Sequence, residues 1–270
     1  MVQFITSIII FEYYLWLIMD DNLFSVKGKV VIITGGGQGI GEFLALGLSK
    51  RGAIVYCIDK KFKKGQKKSR GLNKILCDIT KLDEIKTTCS EIIKKDKRID
   101  VLINNAGITI PDKIDNYALD SWSKTLDVNL TGAFLFTQQV LRQMKKNHSG
   151  SIINITSINA EFGFPDNPAY IASKGGLKML GKSLARDCGK YGIRVNNLGP
   201  GYILTKMTEK SYRNKKKYAA RKANTMLDRW GKTSDLLGPC IFLASDASSY
   251  ITGQDIYVDG GWSANGLQSE

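Results

Sequence analysis

The fold is indicated by one stretch of the chain, Val30-Val31-Ile32-Ile33-Thr34-Gly35-Gly36-Gly37-Gln38-Gly39-Ile40-Gly41. Its first four residues are apolar, as is typical of a strand buried on both faces. Apolar residues then recur at helical spacing from Ile40 to Lys50, so the glycines occupy a turn between strand and helix. Such a turn brings backbone N–H groups close to a pyrophosphate. The stretch predicts the first half of a βαβ unit.

Strands and helices continue to alternate along the chain. We predict further strands at 54–58, 74–77, 101–103, 151–156, 194–198 and 256–258, and helices at 82–93, 119–144 and 169–191. This alternation predicts an α/β fold: a single-domain, Rossmann-type, doubly wound parallel sheet with helices on both faces. Because no stretch rich in Pro, Ser or Gly separates two halves, 19–270 is predicted to be one catalytic domain.

Several polar residues fall where a predicted strand ends. They are Asp59, Asp78, Asn105, Ser157 and the pair Pro200-Gly201. Ligands of doubly wound sheets bind at the carboxyl ends of the strands, near the point where strand order reverses. These residues are therefore predicted to form one site.

The bulk composition argues against several other functions. The net charge of +14 comes largely from lysine runs that we interpret as solvated surface, so no nucleic-acid partner is expected. The five cysteines show no Cys-x-x-Cys spacing, which favours reduced thiols in a cytoplasmic protein. The one histidine, His148, receives no catalytic role, and no metal site is visible.

Residues 1–18 form an apolar N-terminal extension. The run from Phe4 to Met19 contains Glu12, follows no basic residue and is short for a membrane span. We interpret it as a mis-assigned start or a non-native extension, with membrane association as the alternative.

Tyr170 and Lys174 lie one helical turn apart, downstream of Ser157. Oxidation of an alcohol needs a base for the hydroxyl proton while hydride leaves the same carbon. A tyrosine can serve if its pKa falls from ~10 toward neutrality, and a lysine ammonium together with a positively charged nicotinamide can supply that field. We expect Ser157 to hold the substrate oxygen.

Asp59, at the end of the second strand, can accept hydrogen bonds from the adenosine ribose, and its charge would repel a 2′-phosphate. NAD is therefore favoured over NADP. The adjacent Lys60 and Lys61 could offset part of that repulsion, so NADP stays possible.

With these motifs in place, the chain resembles the short-chain dehydrogenase/reductase family from about Leu23 to Trp262. The resemblance implies a catalytic tetrad of Asn129, Ser157, Tyr170 and Lys174, in which Asn129 keeps a water beside the lysine. It also implies a set of cofactor-binding residues: Gly35, Gln38, Gly39, Ile40, Gly41, Asp59, Asp78, Ile79, Asn105, Tyr170, Lys174, Ile203 and Thr205. Homotetramers are common in this family, so a homo-oligomer is expected.

The variable segment 202–230 is predicted to form a lid over the substrate. It carries nine basic residues, Lys206, Lys210, Arg213, Lys215, Lys216, Lys217, Arg221, Lys222 and Arg229, which suggests an anionic small molecule. Solvated helix faces are the alternative interpretation.

Within the family, the chain looks most like gluconate 5-dehydrogenases and related sugar-acid or sugar oxidoreductases, and a sugar phosphate stays possible. The alternatives are a 3-oxoacyl-carrier-protein reductase and a catalytically idle relative that is membrane-anchored or binds nucleic acid.

Overall fold

The computed structural model describes residues 22–62, 65 and 70–265, so the apolar extension 1–18 lies outside the described residues. Seven parallel strands form one sheet in the order β3-β2-β1-β4-β5-β6-β7. Their bounds are β1 Val30–Thr34, β2 Ile54–Asp59, β3 Leu72–Leu76, β4 Val101–Asn104, β5 Gly150–Ile155, β6 Ile193–Pro200 and β7 Asp255–Val258.

Eight α-helices accompany the sheet in the described part of the chain. Their bounds are α1 Gly39–Ser49, α2 Leu82–Asp96, α3 Leu119–Leu126, α4 Gly132–Asn147, α5 Pro168–Cys188, α6 Glu209–Arg213, α7 Lys215–Ala223 and α8 Leu237–Ala244. None of the helices in the described ranges is long and apolar enough to cross a membrane.

Both faces of the sheet are covered, which explains why β1 is apolar at every position. Val31 and Ile33 pack into a core that includes residues of α1 and α8. Val30 and Ile32, which point the other way, pack into a second core with residues of α2, α4 and α5. The predicted doubly wound architecture is confirmed.

The strand order reverses between β1 and β4, because the chain builds outward from β1 to β3 and then returns to the other side. In open α/β sheets the crevice at such a reversal is the ligand site. The ends of β1, β2, β4, β5 and β6 all open toward this edge.

Two elements differ from the sequence prediction. β3 runs from Leu72 to Leu76 rather than over 74–77, because an edge strand is bounded by its pairing with β2 and not by an apolar run. The helix predicted over 119–144 is interrupted by a π-helical turn at Asp127–Thr131, which carries Asn129.

The segment predicted to form the lid is held together at its base by backbone hydrogen bonds. Leu204 N donates to Gly231 O at 3.0 Å, and Gly231 N donates to Tyr202 O at 2.9 Å. Above this base the side chain of Trp230 is buried and lies parallel to the ring of Tyr218. Aromatic packing therefore holds α6 and α7 onto the sheet edge.

Candidate active site

A cavity of about 500 Å³ occupies the crevice at the carboxyl ends of the strands. It runs from Asp59 and Asp78 at one end to Ser157 and Tyr170 at the other. Of the predicted cofactor-binding residues, twelve line it: Gly35, Gln38, Gly39, Ile40, Asp59, Asp78, Ile79, Asn105, Tyr170, Lys174, Ile203 and Thr205. The thirteenth, Gly41, does not line it.

The glycines of the β1–α1 turn have two different roles. Gly39 has φ +61° and faces the cavity, where a Cβ would meet only the Thr205 side chain, at 3.9 Å. Gly41 lies against the strand, and a Cβ there would sit 2.3 Å from Gly35 O. Gly41 is therefore required for the helix to approach β1, whereas Gly39 leaves room for a ligand.

The start of α1 suits a phosphate group. Its N-cap residue, Gln38, is extended and makes no side-chain capping hydrogen bond. The first-turn N–H groups have no partner within a helix, and the helix dipole favours an anion there. Together with the open space at Gly39, this arrangement fits the pyrophosphate of a dinucleotide.

Asp59 is fixed at the other end of the turn. Gly37 N donates to its Oδ2 at 2.9 Å, and Lys61 N donates to its Oδ1 at 3.3 Å. A Cβ on Gly37 would lie 2.7 Å from that Oδ2, so only glycine allows this approach. The carboxylate is thus held at the cavity wall with an orientation set by the backbone.

Asp78 lies beside Asp59 at the same end of the cavity. Burial acts to raise its pKa, but hydrogen bonds from the Thr80 backbone and hydroxyl and the charges of Lys60 and Lys81 lower it overall. The ion pair from Lys60 Nζ to Asp78 Oδ2 spans 3.7 Å. Lys60 is therefore directed toward Asp78.

Asn105 connects β4 to the glycine turn. Its Nδ2 donates to Thr34 O at 2.9 Å and to Gly35 O at 3.1 Å. These two hydrogen bonds hold the glycine turn against the end of β4, so Asn105 positions the turn. Asn105 also lines the cavity.

Ser157, Tyr170 and Lys174 meet at the opposite end. Ser157 follows β5 after one residue, Thr156, and a hydrogen bond from Ser157 acts to lower the pKa of Tyr170, which projects from α5. Lys174 Nζ donates to Ile155 O at 2.6 Å and lies 5.8 Å from the centre of the Tyr170 ring. The end of β5 and one face of α5 therefore bring the three predicted residues together.

The pKa values at this end differ from the sequence expectation. Burial raises the pKa of Tyr170, and the hydrogen bond to Ser157 only partly opposes it. Burial also lowers the pKa of the Lys174 ammonium to about 8. The spacing of Tyr170 and Lys174 predicted a lowered tyrosine pKa. In the chain alone the tyrosine pKa is raised instead, because desolvation is the larger effect.

Asn129 does not line the cavity and does not bond Lys174 directly. Its Oδ1 accepts from Ile108 N at 2.8 Å, and its Nδ2 donates to Ile108 O at 3.0 Å and to Ser173 Oγ at 3.0 Å. A Cβ on Gly107 would lie 3.4 Å from Asn129 Oδ1 and 3.6 Å from Lys174 Nζ. A glycine at this position keeps the space between the two side chains open.

The sequence analysis missed several residues that the fold brings to this site. Gly107 and Ser173 surround Asn129, and Thr208 accepts from Thr205 N at 3.0 Å while donating to Ile203 O at 2.6 Å. Only their closeness in sequence to recognised motifs could have indicated them.

The nine basic residues of the predicted lid lie in four kinds of environment. Arg213, Lys222 and Arg229 pair with Glu209, Asp228 and Asp235, respectively. Lys210, Lys215, Lys216 and Lys217 are exposed. Lys206 lines the cavity, and Arg221 lies against aromatic rings. Most of the positive charge that suggested an anionic substrate is thus paired or solvated.

The described residues contain no group of His, Cys, Asp or Glu able to hold a metal ion. They do contain a dinucleotide-sized crevice that ends at Tyr170 and the buried Ser157 and Lys174. The fold and this site together define a nicotinamide-dependent oxidoreductase.

Comparison with known proteins gives the family. The short-chain dehydrogenase/reductase model described as enoyl-(acyl carrier protein) reductase matches residues 35–263. The 5-keto-D-gluconate 5-reductase of Escherichia coli is 35% identical over 248 residues, covering 89% of this chain and 98% of the relative. The 3-oxoacyl-[acyl-carrier-protein] reductase of Thermotoga maritima is 36% identical over 243 residues, covering 87% and 98%, respectively.

A solved structure is also similar to this chain in fold and sequence. The gluconate 5-dehydrogenase from Burkholderia cenocepacia, in complex with NADP and tartrate, is 33% identical, with a TM-score of 0.85 and coverage of 90% of this chain and 98% of that one. The chain belongs to the short-chain dehydrogenase/reductase family, as its motifs suggested, and it is an NAD(P)-dependent oxidoreductase that interconverts an alcohol and a ketone.

Proposed function

We propose that this chain oxidises a secondary alcohol of a sugar acid to a ketone, or catalyses the reverse reduction, with NAD as the favoured cofactor. The observation that carries the proposal is the single crevice, which joins the fixed carboxylate of Asp59 to the cluster of Ser157, Tyr170 and Lys174. Relatives named for 5-ketogluconate and gluconate support the substrate class.

Tyr170 is the proposed general acid and base. When the cofactor is bound, its nicotinamide accepts or supplies the hydride. The Tyr170 hydroxyl exchanges the proton with the substrate oxygen, and Ser157, which hydrogen-bonds the tyrosine, holds that oxygen in place. Because burial raises the tyrosine pKa in the chain alone, we propose that positive charge from Lys174 and from the oxidised cofactor, when bound, lowers that pKa during the reaction.

Lys174 and Asn129 are proposed to return the proton. The buried ammonium is anchored by Ile155 O, and its pKa of about 8 places its proton exchange close to neutral pH. The space beside Gly107, between Asn129 and Lys174, suits a water that connects the lysine to solvent.

Asp59 is proposed to favour NAD by bonding the ribose hydroxyls and repelling a 2′-phosphate. The residues Gly35, Gln38, Gly39 and Ile40 would hold the pyrophosphate, Asp78 and Ile79 the adenine, and Ile203 and Thr205 the carboxamide. The relative from B. cenocepacia was solved with NADP, so the preference of this chain needs a direct test.

The main alternative is a 3-oxoacyl-carrier-protein reductase, which the relative from T. maritima supports. In that case the exposed lysines of the lid would contact an acidic carrier protein. The fixed carboxylate of Asp59 favours the first proposal, because it would oppose NADPH at the adenosine ribose.

A homotetramer in the cytoplasm is the proposed state of the protein, with neither nucleic acid nor membrane as a partner. On α4 and α5, Phe134 is 41% exposed and Met179 is 60% exposed. Large apolar side chains on neighbouring long helices suit an interface between copies of the chain.

The test is a set of initial rates with the purified full chain. NAD⁺ is offered with sugar acids, sugars and polyols, and NADPH is offered with an acetoacetyl thioester. Turnover of a sugar acid with NAD⁺ supports the proposal. Turnover of the thioester alone, with NADPH, would refute it in favour of the carrier-protein reductase.

A further inference from the structure

One cation of the lid has an environment unlike the others. Arg221, on α7, is partly buried, and its guanidinium carbon lies over three aromatic rings. The distances to the ring centres are 4.5 Å for Tyr202, 5.5 Å for Phe164 and 5.6 Å for Trp230. Stacking against three rings limits the rotation of the side chain and fixes the plane of its charge.

The rings around Arg221 come from both segments that frame the catalytic groups. Phe164 lies in the connection between Ser157 and Tyr170. Tyr202 directly follows Pro200-Gly201, which line the cavity. Arg221 therefore bridges the lid and the loop that carries the catalytic serine.

Among the described residues, no carboxylate lies within ion-pair distance of Arg221. Arg213, Lys222 and Arg229 of the same segment each form an ion pair with an acidic residue. A hydrogen bond from Arg221 to the Tyr202 side chain acts to lower the pKa of that tyrosine. A guanidinium has five N–H donors, so most of them have no anionic acceptor in the protein. Partial burial without a counter-charge is costly unless a ligand supplies the charge.

We infer that Arg221 binds the carboxylate of the substrate. Contact with aromatic rings is compatible with bidentate recognition of a carboxylate, in which two N–H groups of the planar guanidinium donate in parallel. Arg221 does not itself line the cavity, but the Tyr202 ring that it contacts directly follows the cavity-lining Gly201, so the contact would hold the carboxylate end of the substrate at the rim of the cavity. This inference rests on the proposed sugar-acid activity and assigns substrate selectivity to one lid residue.

The test compares two substrates of equal carbon skeleton, D-gluconate and D-glucitol, in which a hydroxymethyl group replaces the carboxylate. Arg221→Met is expected to raise KM for gluconate by about 10- to 100-fold, the loss typical of a charge-assisted hydrogen bond. The KM or inhibition constant of glucitol should change little. Arg221→Lys, which keeps the charge without the fork, should fall between the two enzymes.

Arg213→Met is the matched control, because Arg213 lies on the same lid, is exposed and pairs with Glu209. NADH binding, followed by fluorescence, reports whether each variant keeps its folded cofactor site. If Arg221→Met lost cofactor binding as well, the gluconate-to-glucitol ratio of Arg221→Lys would decide.

Different results refute the proposed function and the role of Arg221. A wild-type enzyme that turns over no sugar acid refutes the proposed function, and with it the role of Arg221. A wild-type enzyme that turns over gluconate, with the same gluconate-to-glucitol ratio in the Arg221 variants as in Arg213→Met, overturns the inference alone.

Discussion

Replacement of Lys174 by methionine should stabilise this enzyme while abolishing its turnover. The lysine side chain is 3% exposed, and burial lowers its pKa from 10.5 to about 8. At ~1.4 kcal/mol per pKa unit, keeping this ammonium charged in the folded protein costs about 3 kcal/mol. Methionine fills a similar volume without charge, but it gives up the hydrogen bond to Ile155 O, worth ~1 kcal/mol.

The sign of the pH dependence follows from the lowered pKa of a base. The unfolded chain takes up the proton more readily, so the penalty is complete below pH 8 and disappears as pH rises toward 10.5. Lys174→Met should be more stable than the wild type by about 2 kcal/mol at pH 7, and less stable by about 1 kcal/mol near pH 10.5.

The assay is urea unfolding of both proteins at equal subunit concentration, from pH 7 to pH 10.5. Lys217→Met, at an exposed position of α7, removes one lysine without touching a buried site and serves as control. A difference between Lys174→Met and wild type that stays constant across this range would refute the reasoning, because it would show that the buried ammonium carries no desolvation penalty.

Three further predictions concern the cofactor and the chemistry. Asp59→Asn should raise the ratio of kcat/KM for NADPH over NADH by about 10-fold, because it removes the charge that opposes a 2′-phosphate; an unchanged ratio would contradict the role of Asp59. Gly39→Ala and Gly28→Ala both place an L side chain at positive φ and should cost ~1 kcal/mol of stability, but only Gly39→Ala, beside the cavity, should weaken NADH binding in a fluorescence titration. Tyr170→Phe should lower kcat by about 10³-fold or more with NADH affinity retained, and substantial residual turnover would exclude Tyr170 as the acid-base group.

The sequence predicted the parts of this protein that depend on local pattern. Alternating apolar segments gave the doubly wound sheet, because a strand buried on both faces and an amphipathic helix have different periods. The residues at strand ends converged, since the carboxyl ends of parallel strands lie on one edge. Asp59, Ser157 and Tyr170 all line the same cavity for this reason.

The parts that depend on tertiary contacts were not accessible in the same way. The π turn at Asn129 forms where the buried amide bonds the backbone of Ile108, a contact 21 residues away that no local period reveals. The pairing of the lid charges was likewise not accessible, because the sequence of this segment shows nine cations but not that Glu209, Asp228 and Asp235 form ion pairs with three of them.

The hydrogen bonds between Tyr202, Leu204 and Gly231 make the lid a closed loop that begins and ends at one point of the sheet edge. Lengthening such a loop costs little free energy, ~0.6 kcal/mol for each doubling, because its ends are already together. Insertions, deletions and exchanges in its helical part, residues 209–229, can therefore accumulate without disturbing Ile203, Thr205 and Thr208, which line the cofactor crevice. Substrate choice and redox chemistry can in this way change separately, and the helical part of a relative's lid could replace residues 209–229 to change the first while the cavity-lining Ile203 and Thr205 stay in place.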